Sequence, residues 1–248
     1  QRDTWRDAYP LAAAHLARID AIAGEATALR QRIFDTTGDP LQELLAKQAE
    51  IEQAAADILL ANPILRFEKL LVVKGNPGFN TNWGGANRLG QEICVLSPVR
   101  PDGQLTTIYR GSVSDMDLHW DAQRLLFSDG KAVWEMQVDG SGLRQFTRAS
   151  PDTDLDPAYL PDGQIVFSST RDIKYCGCNR HIQGNLFVMN ADGSNIRQIS
   201  RNNLFDSRPS VTPDGRILYY RWEYVDRAYG PSFGLWTVNP DGSQHALY

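Results

Sequence analysis

The chain has few cysteines, no excess of basic charge and no long apolar run. Its 248 residues include 3 cysteines, which cannot all pair and are too few for a disulfide framework. The formal net charge of -5 gives no general attraction to nucleic acid, so we expect no nucleic-acid partner. No stretch approaches the roughly 18 uninterrupted apolar residues of a membrane span. The His-Glu-x-x-His motif of zinc-dependent hydrolases is also absent.

Residues 1–62 have the pattern of two amphipathic helices. Apolar residues recur three or four positions apart from Leu11 to Ile33, and again from Leu41 to Leu59. Between them, "DTTGDP" supplies a glycine that ends one helix and a proline that begins the next. The pattern predicts an antiparallel helical hairpin, in which His15 lies on the apolar stripe as a packing residue.

From residue 66 onward the sequence repeats. Two β-rich runs, an Asp-Gly turn and a third run recur four times, as in "QIVFSS", "NLFVMN", "ADGSN" and "IRQISR". The four turn aspartates, at positions 102, 139, 192 and 241, are 37, 53 and 49 residues apart. A unit of four strands repeating at about 40 to 50 residues is typical of β-propeller blades, which bury both faces by stacking on neighbouring blades.

The strand count predicts an incomplete ring. The first unit lacks an innermost strand, and the last reaches Tyr248 within its outermost strand. We therefore expect a mainly β protein: a partial β-propeller of about four four-stranded blades over residues 66–248, preceded by the helical hairpin of residues 1–62. The same count favours a fragment that is truncated at its C-terminal end.

Two resemblances extend this interpretation. "DLDPAYLPDGQIVFSSTR" resembles the TolB-type propeller repeat, with Asp154, Pro157 and Pro161 in the pattern of that repeat and Asp206 and Pro209 in the next. "RFEKLLVVK", "DMDLHWDAQRLLFS" and "YCGCNRHIQGNLF" are similar to planctomycete-type exported proteins related to the middle, propeller domain of the hydrazine synthase alpha subunit. This second resemblance implies a periplasmic or equivalent extracytoplasmic location, a redox-associated parent protein, and contacts with a protein partner or with other domains of that parent.

A short loop carries residue types that bind metals. Cys176, Cys178 and His181 suit zinc or another borderline metal, although structural zinc uses four ligands and a wider cysteine spacing. The alternative is an ordered loop with free or partner-paired thiols. Covalent haem attachment needs Cys-x-x-Cys-His, which the chain lacks, so haem would have to come from regions outside it.

Two further sets of residues are candidate ligand contacts. Long insertions at residues 75–91, 170–184 and 222–233 occupy equivalent places in their blades, so we expect them on one face of the propeller. The third insertion predicts a ligand-binding rim made of Trp222, Glu223, Tyr224, Asp226, Arg227 and Tyr229. Asp115, Asp117 and His119 alternate along an innermost strand and are candidates for a channel site that holds a metal or moves a proton. The alternative for the two aspartates is structural capping of blade turns.

These features favour a non-catalytic propeller module that binds or assembles within a larger exported protein. The alternative is a part of a metal- or haem-dependent oxidoreductase to which the loop of Cys176, Cys178 and His181 contributes ligands. A carbohydrate- or peptide-binding propeller is a third hypothesis, and it relies on Trp222 and Tyr224.

Overall fold

The fold comes from a computed structural model, which describes most of the chain. The described residues are 11–35, 41–65, 67–75, 90–148, 152–175, 184–223 and 233–248. They separate into two compact units, one from the described parts of residues 1–70 and 96–104, the other from those of 71–95 and 105–248.

Two helices form the N-terminal part of the first unit. Helix α1 spans Ala12–Asp35, helix α2 spans Leu41–Leu60, and a 3-10 turn follows at Pro63–Leu65. Ion pairs join the helices in antiparallel register: Arg18 to Asp57 at 2.9 Å, and Lys47 to Glu25 at 2.6 Å. The predicted helical hairpin is therefore confirmed. No helix among the described residues combines the length and the apolarity needed to cross a bilayer.

Four sheets follow the helices in chain order, and we number them as blades 1 to 4. Blade 1 contains β1 (Leu70–Gly75), β2 (Gly90–Ser97) and β3 (Gln104–Val113). Blade 2 contains β4 (Asp115–Leu118), β5 (Arg124–Ser128), β6 (Val133–Gln137) and β7 (Arg144–Gln145). Blade 3 contains β8 (Asp154–Tyr159), β9 (Ile165–Ser169), β10 (Asn185–Met189) and β11 (Arg197–Gln198). Blade 4 contains β12 (Asp206–Val211), β13 (Ile217–Trp222), β14 (Phe233–Val238) and β15 (Ala246–Leu247).

The sheets confirm the predicted partial propeller, whose ring is not closed. Within blades 2 to 4 each strand pairs antiparallel with the next along the chain. Among the residues described, blade 1 has three strands, so the expectation of four strands holds for blades 2 to 4. Its missing strand corresponds to the innermost one, which the repeat count did not find in the sequence.

The core lies between the blades. One apolar cluster joins Leu126 of blade 2 to Phe167 of blade 3, and another joins Val188 of blade 3 to Ile217 of blade 4. All four of these side chains are fully buried. A four-stranded sheet with apolar side chains on both faces cannot cover them by itself. Each blade therefore depends on its neighbouring blades to bury its apolar side chains.

Each Asp-Gly turn of blades 2 to 4 packs against the outermost strand of the preceding blade or against the residue that directly follows that strand. A Cβ added at the turn glycine would lie within 3.2 Å of a backbone carbonyl oxygen there. The pairs are Gly140 with the oxygen of Ile108 at 2.5 Å, Gly193 with that of Phe146 at 3.2 Å, and Gly242 with that of Ile199 at 3.0 Å. These glycines also have φ near +87°, so the turn requires glycine both for its backbone conformation and for the close approach.

The flanks of the three long insertions lie at one end of the propeller. The start of β8 contacts the β5–β6 connection through the Asp154 N–H and the Lys131 carbonyl, 2.9 Å apart. The start of β12 likewise contacts the β9–β10 connection through the Asp206 N–H and the Gly184 carbonyl, 3.1 Å apart. In blade 1, Gly90 lies beside the end of β3 at the Val113 carbonyl. The Asp-Gly turns lie at the other end.

Candidate functional site

The innermost strands of blades 2, 3 and 4 lie side by side and surround a polar cavity, which we call the channel cavity. Asp117 of β4 accepts a hydrogen bond from the backbone N–H of Tyr159 on β8, at 2.9 Å. Asp156 of β8 accepts one from the backbone N–H of Arg208 on β12, at 3.2 Å. The cavity has a volume of about 430 Å³. Its charged and aromatic lining residues are Asp115, Asp117, Trp120, Asp156, Tyr159 and Arg208.

Two β-bulges shape the cavity. The register of β8 shifts between Leu155 and Ala158, and that of β12 shifts in the same way between Ser207 and Ser210. Within these bulges Asp156 and Arg208 have φ of 52° and 54°, and a proline follows each of them. A residue before proline strongly prefers extended backbone, so each bulge stores strain on the order of 1–3 kcal/mol. The surrounding blades therefore hold both residues in a conformation that the local sequence disfavours.

Asp115 and Asp156 bring two carboxyl groups from adjacent blades together. The Ser114 hydroxyl donates to Asp115 Oδ2 at 2.5 Å, and the Asp156 carboxyl lies near enough for its charge to act on Asp115. Asp156 Oδ2 also accepts from the Ser168 hydroxyl at 3.1 Å. Asp115 Oδ1 is enclosed and has no hydrogen-bond donor among the described residues. Two ionised carboxylates in contact repel each other, so this arrangement requires a proton or a cation.

The electrostatics agree with a shared proton when no other cation is present. Burial raises the pKa of Asp115 to about 8, and the charge of Asp156 acts in the same direction. Burial also raises the pKa of Asp156, against the lowering effect of the Arg208 charge. The Arg208 guanidinium is exposed and makes no hydrogen bond or ion pair with any described residue. It is therefore an available positive charge beside the carboxyl pair.

The two other channel residues predicted from the sequence have different surroundings. Asp117 lines the cavity, and burial raises the pKa of its carboxyl. His119 does not line it. Its Nδ1 lies 2.8 Å from Asp121 Oδ2, its Nε2 lies 3.0 Å from an Arg124 nitrogen, and its ring meets that of Tyr159 edge-on. His119 therefore belongs to the β4–β5 turn, whereas Asp117 joins two blades at the cavity wall.

The β4–β5 turn also places an aromatic side chain at the cavity. Trp120 lines it and is 52% exposed. The corresponding turns of blades 3 and 4 have Pro161 and Pro213 at this position. Ala122 of the same turn has φ of 55°, where the other two turns have glycine. Blade 2 thus departs from the repeat at the position that contributes an indole ring to the cavity.

The predicted rim is described only at its beginning. Trp222 is fully buried and packs with Phe205 and Phe233, so it belongs to the core of blade 4 and not to the rim. The sequence predicted a rim position for Trp222, but Phe205 and Phe233 cover its side chain. Glu223 is half-buried at the end of β13. The remaining rim residues, Tyr224, Asp226, Arg227 and Tyr229, lie outside the described residues.

The predicted metal loop also lies outside the described residues, since Cys176, Cys178 and His181 all fall within 176–183. In the part of the chain that the structure does describe, no three His, Cys, Asp or Glu side chains are arranged to hold a metal ion. Cys94 is buried in β2, with its sulfur 3.7 Å from the Thr107 hydroxyl.

Sequence reasoning missed Asp156 and Arg208, although a signal for them was present. "DLDPAY" and "DSRPSV" occupy the same place in two successive repeats, so Asp156 and Arg208 are equivalent positions immediately before a proline. Aligning these segments would have placed both residues on innermost strands. Their proximity to Asp115 depends on how three blades stack, which the repeat pattern does not specify.

Comparison with known proteins agrees with this architecture. No protein-family model matches the chain, and no curated protein matches it. Among solved structures, hydrazine synthase from Kuenenia stuttgartiensis superposes with a TM-score of 0.59 at 20% identity, over 73% of this chain and 31% of that chain. The chain has a β-propeller fold similar to that of part of the hydrazine synthase chain. A puromycin hydrolase S511A mutant complexed with PGG superposes with a TM-score of 0.50 at 17% identity, over 73% of this chain and 31% of that one. TolB from Acinetobacter baumannii superposes with a TM-score of 0.45 at 15% identity.

These likenesses establish the fold. The matched part of this chain spans about a third of the length of the hydrazine synthase chain. At identities of 20% and below, the activities of those proteins are not transferred by the superposition.

Proposed function

We propose that this chain is a non-catalytic β-propeller module for binding and assembly within a larger exported, redox-associated protein. An apolar face of helix α2 supports this proposal most directly. The face, which we call the leucine face, consists of Leu41, Leu44, Leu45, Ile51 and Leu59.

The leucine face lies on a different side of α2 from the residues that join this helix to α1. At about 100° per residue its five side chains fall within about 120° of arc. Ala54, which is buried, lies on a different side of the helix, as do Lys47 and Asp57, which form the ion pairs to α1. The five side chains of the face are between 42% and 62% exposed.

A contiguous patch of this kind marks a surface that a partner covers. Single exposed leucines are common on protein surfaces, but a continuous row on one helix face is typical of helix docking. The occupant that we propose is another domain of the parent chain. This choice is supported by the hydrazine synthase comparison, in which a propeller of this size makes up part of a chain about three times as long.

The test measures binding between this module and the rest of its parent, expressed as a separate polypeptide. Leu44→Ser combined with Ile51→Ser should weaken the complex by at least about tenfold, because burying each side chain contributes about 1.5–3 kcal/mol. The matched control is Leu105→Ser combined with Leu143→Ser. These two leucines are each 48% exposed on the propeller and should leave the affinity unchanged.

Two results would contradict the proposal. Equal loss of affinity in both double variants would show that exposed leucines act non-specifically. A stable homodimer of the wild-type module, detected by light scattering and lost with Leu44→Ser and Ile51→Ser, would assign the leucine face to a second copy of the chain instead.

A further inference from the structure

The channel cavity contains an acceptor that the described residues leave unused. Asp115 Oδ1 is enclosed without a donor, and the group beside it is the carboxyl of Asp156. An enclosed carboxylate oxygen without a donor is costly, because it has lost its water and gained no hydrogen bond. A positively charged donor placed in the cavity would satisfy Asp115 and relieve the repulsion between the two carboxylates.

The same cavity contains one positive charge, that of Arg208, which acts on the carboxylates of Asp115 and Asp156. The backbone N–H of Arg208 donates to Asp156, whereas its guanidinium has no hydrogen-bond or ion-pair partner among the described residues. The charged groups that line the cavity are three carboxylates, of Asp115, Asp117 and Asp156, and this one guanidinium. A ligand that complements them has a donor cation at one end and an acceptor anion at the other.

The geometry points to a small zwitterion as the ligand of the channel cavity: we propose that its ammonium group binds between Asp115 and Asp156 and that its carboxylate binds Arg208. A volume of about 430 Å³ lies within the range of small-molecule sites. Trp120 supplies an indole ring that would cover the ligand and interact favourably with an ammonium group. A metal ion fits less well, since no three suitable ligands come together among the residues described.

Binding should be coupled to proton release. Without ligand the carboxyl pair holds a proton, because burial raises the pKa of Asp115 to about 8. An ammonium group brings its own positive charge and its own donor hydrogens, so the pair must give up its proton to the solvent when the ligand enters. Affinity should therefore rise between pH 6 and pH 8, as less work is needed to remove that proton.

Calorimetric titration of the full chain at pH 8 tests the proposal with three probes of similar length. γ-Aminobutyrate should bind at least about tenfold more tightly than n-butylamine, which lacks the carboxylate, because a hydrogen bond between charged groups is worth about that much. Butyrate, which lacks the ammonium group, should not bind. Trp120 fluorescence should change on binding, and repeating the titration in buffers of different ionisation enthalpy should reveal the released proton.

Variants assign the binding to the named residues. Asp115→Asn should abolish γ-aminobutyrate binding, and Arg208→Gln should make the affinities for γ-aminobutyrate and n-butylamine equal. Asp162→Asn is the control, since Asp162 caps the β8–β9 turn outside the cavity. Arg208 is exposed, so Arg208→Gln is informative even if Asp115→Asn perturbs folding. Failure of all three probes to bind, equal binding of γ-aminobutyrate and n-butylamine by the wild type, or no effect of Arg208→Gln would overturn the proposal.

Discussion

Replacing Gly140 by alanine should destabilise the propeller more than the same change at Gly163. Both glycines have nearly the same backbone, with φ of 87° and 86°. Alanine therefore meets the same left-handed penalty of about 1–2 kcal/mol at each site. The two sites differ in their surroundings: a Cβ at Gly140 lies 2.5 Å from the carbonyl oxygen of Ile108 in the preceding blade, whereas a Cβ at Gly163 has nothing within 4 Å.

The difference between the two variants isolates the contact between blades. A backbone carbonyl cannot rotate away, so blades 1 and 2 must separate locally, and overpacking of this kind costs about 1–3 kcal/mol. We expect the free energy of unfolding to fall by about 1–2 kcal/mol for Gly163→Ala and by about 2–5 kcal/mol for Gly140→Ala.

Urea unfolding followed by far-UV circular dichroism measures both values, with Gly215→Ala as a second control at an open position. Equal losses at Gly140 and Gly163 would show that the blades do not approach each other as closely as described, and would refute the reasoning.

Three further predictions follow from single features of the structure. Ala122→Gly should raise the free energy of unfolding by about 1 kcal/mol, because it relieves a φ of 55°; an unchanged urea midpoint would contradict this. Because the pKa of Asp115 is raised to about 8, its contribution to the free energy of unfolding should be full below pH 4 and should be lost as the pH rises to about 8. Asp115→Asn should weaken this pH dependence of the free energy of unfolding. An unchanged pH dependence in the variant would contradict the pairing of Asp115 with Asp156. If the loop binds metal, Cys176→Ser with Cys178→Ser should remove stoichiometric zinc from the purified protein, and absence of zinc from the wild type would contradict a zinc site.

The recurring order of β-rich runs and Asp-Gly turns made most of the fold predictable from the sequence. The Asp-Gly turns identified blade after blade because glycine at positive φ is a local requirement. The spacing of apolar residues within 11–59 identified the helices, because the three-to-four-residue period of an amphipathic helix can be read from the sequence alone. It did not show that six large apolar side chains of α2 would remain exposed, because exposure depends on what else packs against a helix.

The candidate site was predictable only in part, because it is formed between blades. Asp115 and Asp117 lie two residues apart on one strand, β4. Because alternate residues of a strand point to the same side, the sequence was enough to predict that both face the channel. Asp156 and Arg208 reach the cavity through bulges with left-handed backbone before proline, a conformation that local propensity argues against. Trp222 was predicted at the rim and is buried, since packing against Phe205 and Phe233 decides its position.

Hydrogen–deuterium exchange of this chain, with and without the remainder of its parent protein, tests the assembly proposal most directly. The account predicts slower exchange in residues 41–60, on the helix that carries the leucine face, and little change in the strands of blades 2 to 4. Unchanged exchange in residues 41–60, together with protection confined to the propeller, would contradict it.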